Sequence, residues 1–432
     1  MKPANTFSKT MIMVAILLAP LIRPNGINGI TNGGQYIYDV LSVASVMVLL
    51  ILFFAQKKQL FDRQLILCGL IFLLIMVSTL KNHGDKMVHL RIAVTCFGMM
   101  LAVIVFRKKP KMFMSALLLD LEILIYLNLL CLILFPKGMY LSHETYGSST
   151  NWLMGYDNHW FIFYYGAYFL ALANILYGGS ELRSYLLIAV LHATALFTLS
   201  GVLVVGILLM DFILFFRLYQ WKIFRFETIL AGSLFLTVAL IFFQTNQAIQ
   251  YAITQIFAKE ESMSARARIW RAAIAQIKQH LLFGNGRLFA EDAQRIYGLP
   301  AAVNAHNMWL EILVEGGLIT SALFILFLLL TARKLGKKQS VFYQLLLIPV
   351  ATAFVMMAVD SMIETRGVMF FALLAIGKYC EDYEAAVVPE RAMAFERKRE
   401  KTRPGDLIGS LRRALVFGRV LPMREQPRKE KK

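Results

Sequence analysis

Long apolar stretches, separated by short polar segments, recur along the whole chain. Most of them approach the roughly 20 residues that a helix needs to cross about 30 Å of hydrocarbon. Backbone groups inside lipid must be paired internally, so such stretches are expected to be helices. We therefore predict an all-α, polytopic membrane protein with about twelve transmembrane helices. The predicted spans lie near residues 10–23, 38–55, 64–80, 88–106, 112–135, 159–177, 184–199, 201–217, 228–243, 307–330, 341–359 and 367–380.

For three of these spans the apolar pattern alone leaves the boundaries or the fate of the segment open. The seventh and eighth follow each other without a polar loop and are together too long for one crossing, so we place a tight turn at Ser200-Gly201. The first span is short and could pass for a signal peptide. Arg23-Pro24 follows it where a small-residue cleavage site would be needed, so we expect a retained helix.

Composition and charge agree with a membrane protein. Hydrophobic residues make up 58% of the chain and charged residues 17%, whereas soluble domains carry about 25% charged residues. The net charge of +18 would suit nucleic acid, but most Lys and Arg residues gather in alternate short loops and in the C-terminal tail. This positive-inside pattern excludes nucleic acid as the expected partner. It predicts cytoplasmic termini and an extracytoplasmic loop at residues 244–306.

The chain divides into a transmembrane bundle at residues 1–380 and a basic tail at residues 381–432. We expect the tail to be disordered or to lie on the membrane surface, with a candidate amphipathic helix at residues 407–420. The four cysteines lie in or at the ends of apolar segments and form no C-x-x-C pair. We interpret them as core residues and expect no disulfide framework, metal site or cofactor.

The long loop contains a helical pattern at residues 264–283, which Gly284-Asn285-Gly286 ends. Four-residue spacing places Arg266 and Trp270 on one face of this helix, while Arg268 points nearly opposite. If the helix covers a site, Arg266 is the arginine that faces it. The alternative is a surface helix whose arginines are solvated.

The loop ends in Asn304-Ala305-His306-Asn307, where either asparagine could cap the next helix. His306 then lies at the mouth of the bundle, beside a helix N-terminus that favours anions. Glu311 and Glu315 are one turn apart, and a straight helix would place Glu315 roughly 13 Å deeper than His306. Carboxylates inside a span suggest function. Alternatively, Glu311 stays at the interface and Glu315 pairs with an arginine of another helix.

These residues resemble the signature of the O-antigen ligase/polymerase family, a group of bacterial membrane glycosyltransferases with about a dozen spans and one long extracytoplasmic loop. The matching elements are Arg266-x-x-Ile269-Trp270, Gly284-x-Gly286 and His306-Asn307-x-x-Leu310-Glu311-x-x-x-Glu315-x-Gly317. Residues 153–158 also resemble a Leu-Gly-x-x-Asn element of polymerase-like members. Gly201 departs from the Ser-Arg pair that members often carry at this turn, which favours a polymerase over a ligase.

The resemblance implies a donor glycan on undecaprenyl diphosphate, a glycan or lipid-linked acceptor, and transfer with inversion in the cytoplasmic membrane of a bacterium. Export or chain-length machinery is a further partner that it suggests. Arg266 would stabilise the departing diphosphate, because a guanidinium pairs bidentately with phosphate oxygens. Arg268 and Arg287 are candidate helpers. No metal constellation is visible in the loops, so we expect arginine to act in place of a metal ion.

His306 would deprotonate the acceptor hydroxyl or donate a hydrogen bond to the diphosphate. Glu311 would orient His306 or bind acceptor sugar, and Trp270 and Trp309 offer ring faces for sugars. The remaining residues expected to contact substrate are Asn158, Asn307 and Glu315.

Two other functions stay open. A ligase would transfer the glycan to a lipid, protein or wall acceptor. A transporter or flippase of lipid-linked glycans would use charged residues inside the spans. Asp120 and Glu122 lie on different faces of one predicted helix, so partner ion pairs are the simpler interpretation of both. We expect His192 to be a core histidine with satisfied hydrogen bonds.

Overall fold

The computed structural model describes residues 8–31, 33–56, 62–144, 147–243, 260–300, 302–335, 340–361 and 367–397. Each of the twelve predicted apolar segments is helical over most of its length. The helices are α1 (Lys9–Leu18), α2 (Ile27–Ile30), α3 (Gly34–Ala55), α4 (Arg63–Lys81), α5 (Lys86–Phe106), α6 (Pro110–Leu134), α7 (Phe161–Leu176), α8 (Glu181–Thr198), α9 (Gly201–Phe215), α10 (Phe226–Phe243), α11 (Glu260–Gln279), α12 (Ala290–Tyr297), α13 (Met308–Leu335), α14 (Val341–Met356), α15 (Val368–Lys378), α16 (Cys380–Glu384) and α17 (Pro389–Arg397).

Five of the described helices are long and apolar enough to cross a membrane, namely α3 to α6 and the Met308–Arg333 portion of α13. Shorter apolar helices pack around them, including α7, α9, α10, α14 and α15. The all-α, polytopic architecture is therefore supported. The number of crossings and the side on which the long loop lies stay predictions.

A small antiparallel sheet between α6 and α7 is an element that the all-α prediction missed. Its strands are β1 (Tyr140–Glu144), β2 (Gly147–Trp152) and β3 (Gly155–Tyr156), in the order β1-β2-β3. Strands this short carry too little periodicity to be read from sequence alone. The sheet is tied to the bundle because the Asn128 side chain of α6 accepts a hydrogen bond from the Met154 N–H at 2.9 Å.

Helices α4 and α14 begin at the same end of the bundle. Asp62, the N-cap of α4, pairs with Lys378 at the end of α15. Phe342, at the start of α14, stacks on Tyr383 of α16, which follows Lys378 closely in the chain. Both helices rise about 24 Å over their first 16 residues, so they finish at a similar height. We call the end where α4 and α14 finish the site end.

Helix α13 is interrupted at Gly317, whose φ and ψ are 64° and −167°. Only glycine adopts such a conformation readily, and a Cβ here would lie 2.4 Å from the backbone of Leu282. The interruption frees backbone groups, and the connecting segment at residues 281–286 pairs with them. The exchanged hydrogen bonds join Asn285 N–H to Val314 C=O (2.7 Å), Gly286 N–H to Glu315 C=O (2.8 Å), Leu318 N–H to Leu281 C=O (2.8 Å) and Ile319 N–H to Leu282 C=O (3.2 Å).

The connecting segment is also held against the end of α4. Gly286, with a φ of 72°, approaches the α4 backbone so closely that a Cβ would lie 2.2 Å from the Thr79 nitrogen. The Ser78 hydroxyl donates to the Gly284 carbonyl at 2.7 Å, and the Arg287 N–H donates to the Thr79 hydroxyl at 2.8 Å. The segment is thus fixed between α4 and α13.

Residues 308–316, the first part of α13, therefore run across the site end. The Met308 N–H donates to the carbonyl of Met357, just past the end of α14, at 2.8 Å. At the other end of this stretch, Glu315 bonds to Gly286, which lies against Thr79 near the end of α4. The expectation that Glu315 lies deeper than His306 assumed that α13 follows one direction throughout. The break at Gly317 lets residues 308–316 run across the site end, so Glu315 is not deeper in the bundle.

The long loop and the tail differ in detail from expectation. Helix α11 ends at Gln279, a few residues earlier than predicted, and residues 244–259 lie outside the described residues. Helices α16 and α17 occupy the start of the predicted tail, where Arg391 pairs with Glu181. The candidate amphipathic helix at residues 407–420 lies outside the described residues.

Charged groups within the bundle are mostly paired. Glu122 of α6 accepts hydrogen bonds from Arg183 of α8, which confirms the partner ion pair predicted for it. His192 of α8 lies 2.7 Å from the Asp211 carboxylate and also contacts a backbone carbonyl, so its hydrogen bonds are satisfied as predicted. Its side chain is 34% exposed, so the prediction that it lies in the core is wrong. Asp120 differs, since one buried carboxylate oxygen has no hydrogen-bond partner among the described residues.

Candidate active site

The turn Asn304-Ala305-His306-Asn307 enters α13 with its backbone tightly held. The Asn304 side chain accepts from the His306 N–H at 2.8 Å, and the Glu311 carboxylate accepts from the Ala305 N–H at 2.6 Å. Asn307 is the N-cap, since its side-chain oxygen accepts from the next helical N–H groups, including that of Leu310 at 3.1 Å. These hydrogen bonds hold the backbone of the turn and thereby position the His306 side chain.

His306 itself adopts a left-handed backbone conformation with a φ of 44°. Such a conformation is uncommon outside glycine and is typical of turns and functional sites. Its Nδ1 lies 3.7 Å from an oxygen of Asp360, which follows α14. Both side chains are largely buried, with the imidazole 19% exposed and the carboxylate 10%. A carboxylate beside one ring nitrogen helps to orient the other nitrogen for proton transfer.

Asp360 is a site residue that sequence reasoning missed. The side chain of Asn307 donates to the Ala358 carbonyl at 2.9 Å, which brings the loop after α14 onto the His306 turn. The two segments are far apart in sequence, so no local pattern joins them. The available signal was an ionisable residue at the end of an apolar span, Asp360-Ser361, where intramembrane carboxylates suggest function.

Helix α11 brings Arg266 toward the same turn. Trp270 is 1% exposed, and its indole N–H donates to the Ala305 carbonyl at 3.0 Å. Arg266 lies one helical turn, about 6 Å, before Trp270 on the same face. Its buried Nε has no hydrogen-bond partner among the described residues. A cationic donor without a partner beside the His306 turn is suited to binding an anion.

A buried ion cluster of Arg287, Glu311 and Glu315 also supports the His306 turn. The Arg287 guanidinium lies 2.7 Å from the Glu315 carboxylate and 3.6 Å from that of Glu311. Burial by itself would lower the pKa of Arg287, but the two carboxylates outweigh burial and raise it, so the arginine stays charged. Burial raises the pKa of the neighbouring Tyr297 well above its usual value, and the same carboxylates act in that direction.

This cluster changes the roles that can be proposed for its members. Arg287, Glu311 and Glu315 are 8%, 3% and 2% exposed and bond to one another or to the turn. Glu315 pairs with an arginine, which was the alternative considered for it from the sequence. Because Glu311 holds the backbone next to His306, the role that we propose for it is positional.

The two tryptophans and Arg268 are placed differently from the predicted sugar and phosphate contacts. Trp309 is 8% exposed, donates to the Ser233 hydroxyl at 3.2 Å and packs edge-on against Phe324. Trp270 is buried as described above, so neither ring face is open to a sugar in this structure. Arg268 is exposed and lies against Gly298, on the side of α11 away from Trp270.

Asn158 belongs to a neighbouring polar group. Its side chain accepts from the Ser200 hydroxyl at 2.6 Å and donates to the Tyr156 hydroxyl at 2.9 Å. The turn predicted at Ser200-Gly201 is present, and Tyr165 of α7 donates to the carbonyl of Val202 just after it.

Comparison with known protein families finds a match over the region that contains this site. A family model described as O-Antigen ligase matches residues 184–325, about a third of the chain, from α8 into α13. The matched region contains Arg266, His306, Glu311 and Glu315. Comparisons with curated proteins and with solved structures return no match. The resemblance predicted from the sequence is thus confirmed over this region: residues 184–325 match the O-antigen ligase family model.

Proposed function

We propose that this protein transfers a glycan from a polyprenyl diphosphate to an acceptor hydroxyl at the site end of the bundle. The observation that carries the proposal is the meeting of three segments: Arg266 on α11, His306 before α13 and Asp360 after α14. Trp270, one helical turn after Arg266, bonds to Ala305 beside His306, and the His306 imidazole contacts the Asp360 carboxylate. The buried Nε–H of Arg266 has no partner among the described residues. Glycosyl transfer from a diphosphate needs both a stabilised leaving group and a proton acceptor.

In the proposed reaction the acceptor oxygen attacks the anomeric carbon as the bond from that carbon to the diphosphate oxygen breaks. The diphosphate leaves with the bonding electron pair, and Arg266 stabilises its charge through charge-assisted hydrogen bonds. His306 takes the proton of the acceptor hydroxyl, and Asp360 stabilises the resulting imidazolium. A single displacement of this kind inverts the anomeric configuration. Glu311 and Arg287 hold the turn in place.

Within this reaction class we propose a polymerase, whose acceptor is a second lipid-linked repeat unit, as the leading function. The turn at residues 200–201 carries no arginine, which favours a polymerase. Crowding does not account for the glycine there, because a Cβ added to Gly201 would meet no atom within 4 Å. Transfer to a different acceptor, as in a ligase, is the nearest alternative. Transport is less favoured, because Glu122 and Asp211 within the bundle are held in pairs.

The identity of the product tests this proposal. Purified protein in proteoliposomes should be given lipid-linked repeat units, and the glycans and lipids should be analysed by mass spectrometry. We expect lengthened glycans and one free polyprenyl diphosphate for each new glycosidic bond. Products only on a second type of acceptor would favour a ligase. Translocation of the lipid-linked glycan without a new bond would refute the enzymatic function.

A further inference from the structure

The start of the connecting segment presents an apolar surface within a loop that the sequence predicts to be exposed to water. Leu281, Leu282 and Phe283, which we call the apolar tip, are 47%, 55% and 51% exposed. They follow directly on Lys278-Gln279-His280, which are polar and exposed. A contiguous apolar patch of this kind indicates an interaction surface.

The apolar tip continues the surface of helices that face lipid. The N–H groups of Leu318 and Ile319 bond to tip carbonyls, and both of these side chains are exposed on α13. Beyond the break, α13 runs for 18 residues to Leu335, close to the length that crosses about 30 Å of hydrocarbon. The tip therefore lies where the lipid-facing surface of α13 begins.

Helix α4 independently indicates the same height for the edge of the lipid-facing surface. Its exposed apolar side chains extend up to Val77 and Leu80, and Lys81 then ends the apolar stretch. Ser78, between them, is bonded to Gly284 at the end of the tip. An apolar surface that stops at one height on both α4 and α13 marks the boundary between hydrocarbon and headgroups.

We propose that the apolar tip inserts into the bilayer leaflet at the site end, with the acyl chains of the lipids as its occupant. The carbonyls of Leu281 and Leu282 are bonded to α13, and Gly284, which follows the tip, is bonded to α4, so the backbone of the tip is held in place. The tip is thus a second membrane contact for α11, apart from the transmembrane helices. It holds the helix that carries Arg266 at the level of the lipid headgroups.

Spin-label accessibility tests this proposal without depending on enzymatic activity. A nitroxide is attached at Leu282→Cys in the full-length protein in proteoliposomes, with Cys131→Ser to remove the one native cysteine that is not buried. Ala275→Cys, exposed on α11, is the aqueous reference, and Leu326→Cys, exposed on α13, is the lipid reference. Collision rates are measured with molecular oxygen, which concentrates in hydrocarbon, and with a neutral nickel chelate, which concentrates in water.

We expect the logarithm of the oxygen-to-nickel collision ratio to be positive at position 282, as at position 326, and negative at position 275. A ratio at position 282 that matches position 275 would overturn the proposal. These substitutions lie on the surface, so each labelled protein should elute from size exclusion as the wild type does. Insertion with no glycosyl transfer would leave this inference standing and count against the proposed function alone.

Discussion

Replacement of His306 by Ala is expected to lower the rate of glycosyl transfer about 10²–10⁴-fold, the usual contribution of a positioned general base. The residue is placed for this role by its turn, since Glu311 holds the N–H of Ala305 and Asn304 holds that of His306. Asp360, 3.7 Å from the ring, would stabilise the protonated imidazole. Initial rates of product formation with saturating lipid-linked donor measure the effect.

His280→Ala is the matched control for this variant. His280 is exposed near the end of α11 and bonds through its backbone carbonyl to the Gly284 N–H. We expect its variant to transfer glycan at close to the wild-type rate. Wild-type activity in the His306 variant, at equal amounts of folded protein, would show that another group accepts the proton.

The second large effect is expected on stability, from Arg287→Ala. Removal of this guanidinium leaves Glu311 and Glu315 buried without their cation, and breaking a buried ion pair in this way costs about 3–5 kcal/mol. We expect a lower unfolding temperature in detergent and a lower yield of folded protein. Neutralising one carboxylate in the same chain, as Arg287→Ala with Glu315→Gln, should restore part of the loss.

Arg295→Ala serves as the control for Arg287→Ala. Arg295 pairs with Asp292 on the surface of α12 and is 79% exposed, so its loss should change stability by about 0–1 kcal/mol. An Arg287 variant that unfolds like the wild type but fails to bind donor would contradict the structural role. It would instead support the phosphate contact considered from the sequence.

The parts of the site that the sequence predicts are those set by local spacing. The four-residue interval places Arg266 and Trp270 on one face of α11, and in the structure Trp270 is buried against the His306 turn. The N-cap at Asn307 and the turn at Ser200-Gly201 are local in the same sense. The apolar segments are likewise local, because each helix satisfies its own backbone in lipid.

The features of the site that could not be predicted from the sequence depend on contacts between distant segments. The break at Gly317 is stable because residues 281–286 supply the missing hydrogen bonds. A single glycine inside a helical pattern does not reveal such a partner. The contact between His306 and Asp360 arises in the same way, through two loops that meet at the site end.

The predicted sugar-binding role of the tryptophans illustrates a different limit. Tryptophan is frequent at membrane interfaces and in protein cores alike, so its type does not tell which surface it faces. Here Trp270 and Trp309 both use their indole N–H groups inside the protein. The residues that we propose to meet substrate are therefore fewer than the sequence suggests, with Arg266 and His306 foremost.

The most direct test of the account is the affinity of the wild type, Arg266→Ala and His306→Ala for a lipid-linked donor, measured in detergent. Loss of charge-assisted hydrogen bonds worth about 1.5–3 kcal/mol should weaken donor binding by Arg266→Ala roughly 10–100-fold. His306→Ala should bind donor nearly as tightly as the wild type yet fail to transfer it, and Arg268→Ala should bind normally. Equal affinity of Arg266→Ala and the wild type would contradict a diphosphate site at this arginine.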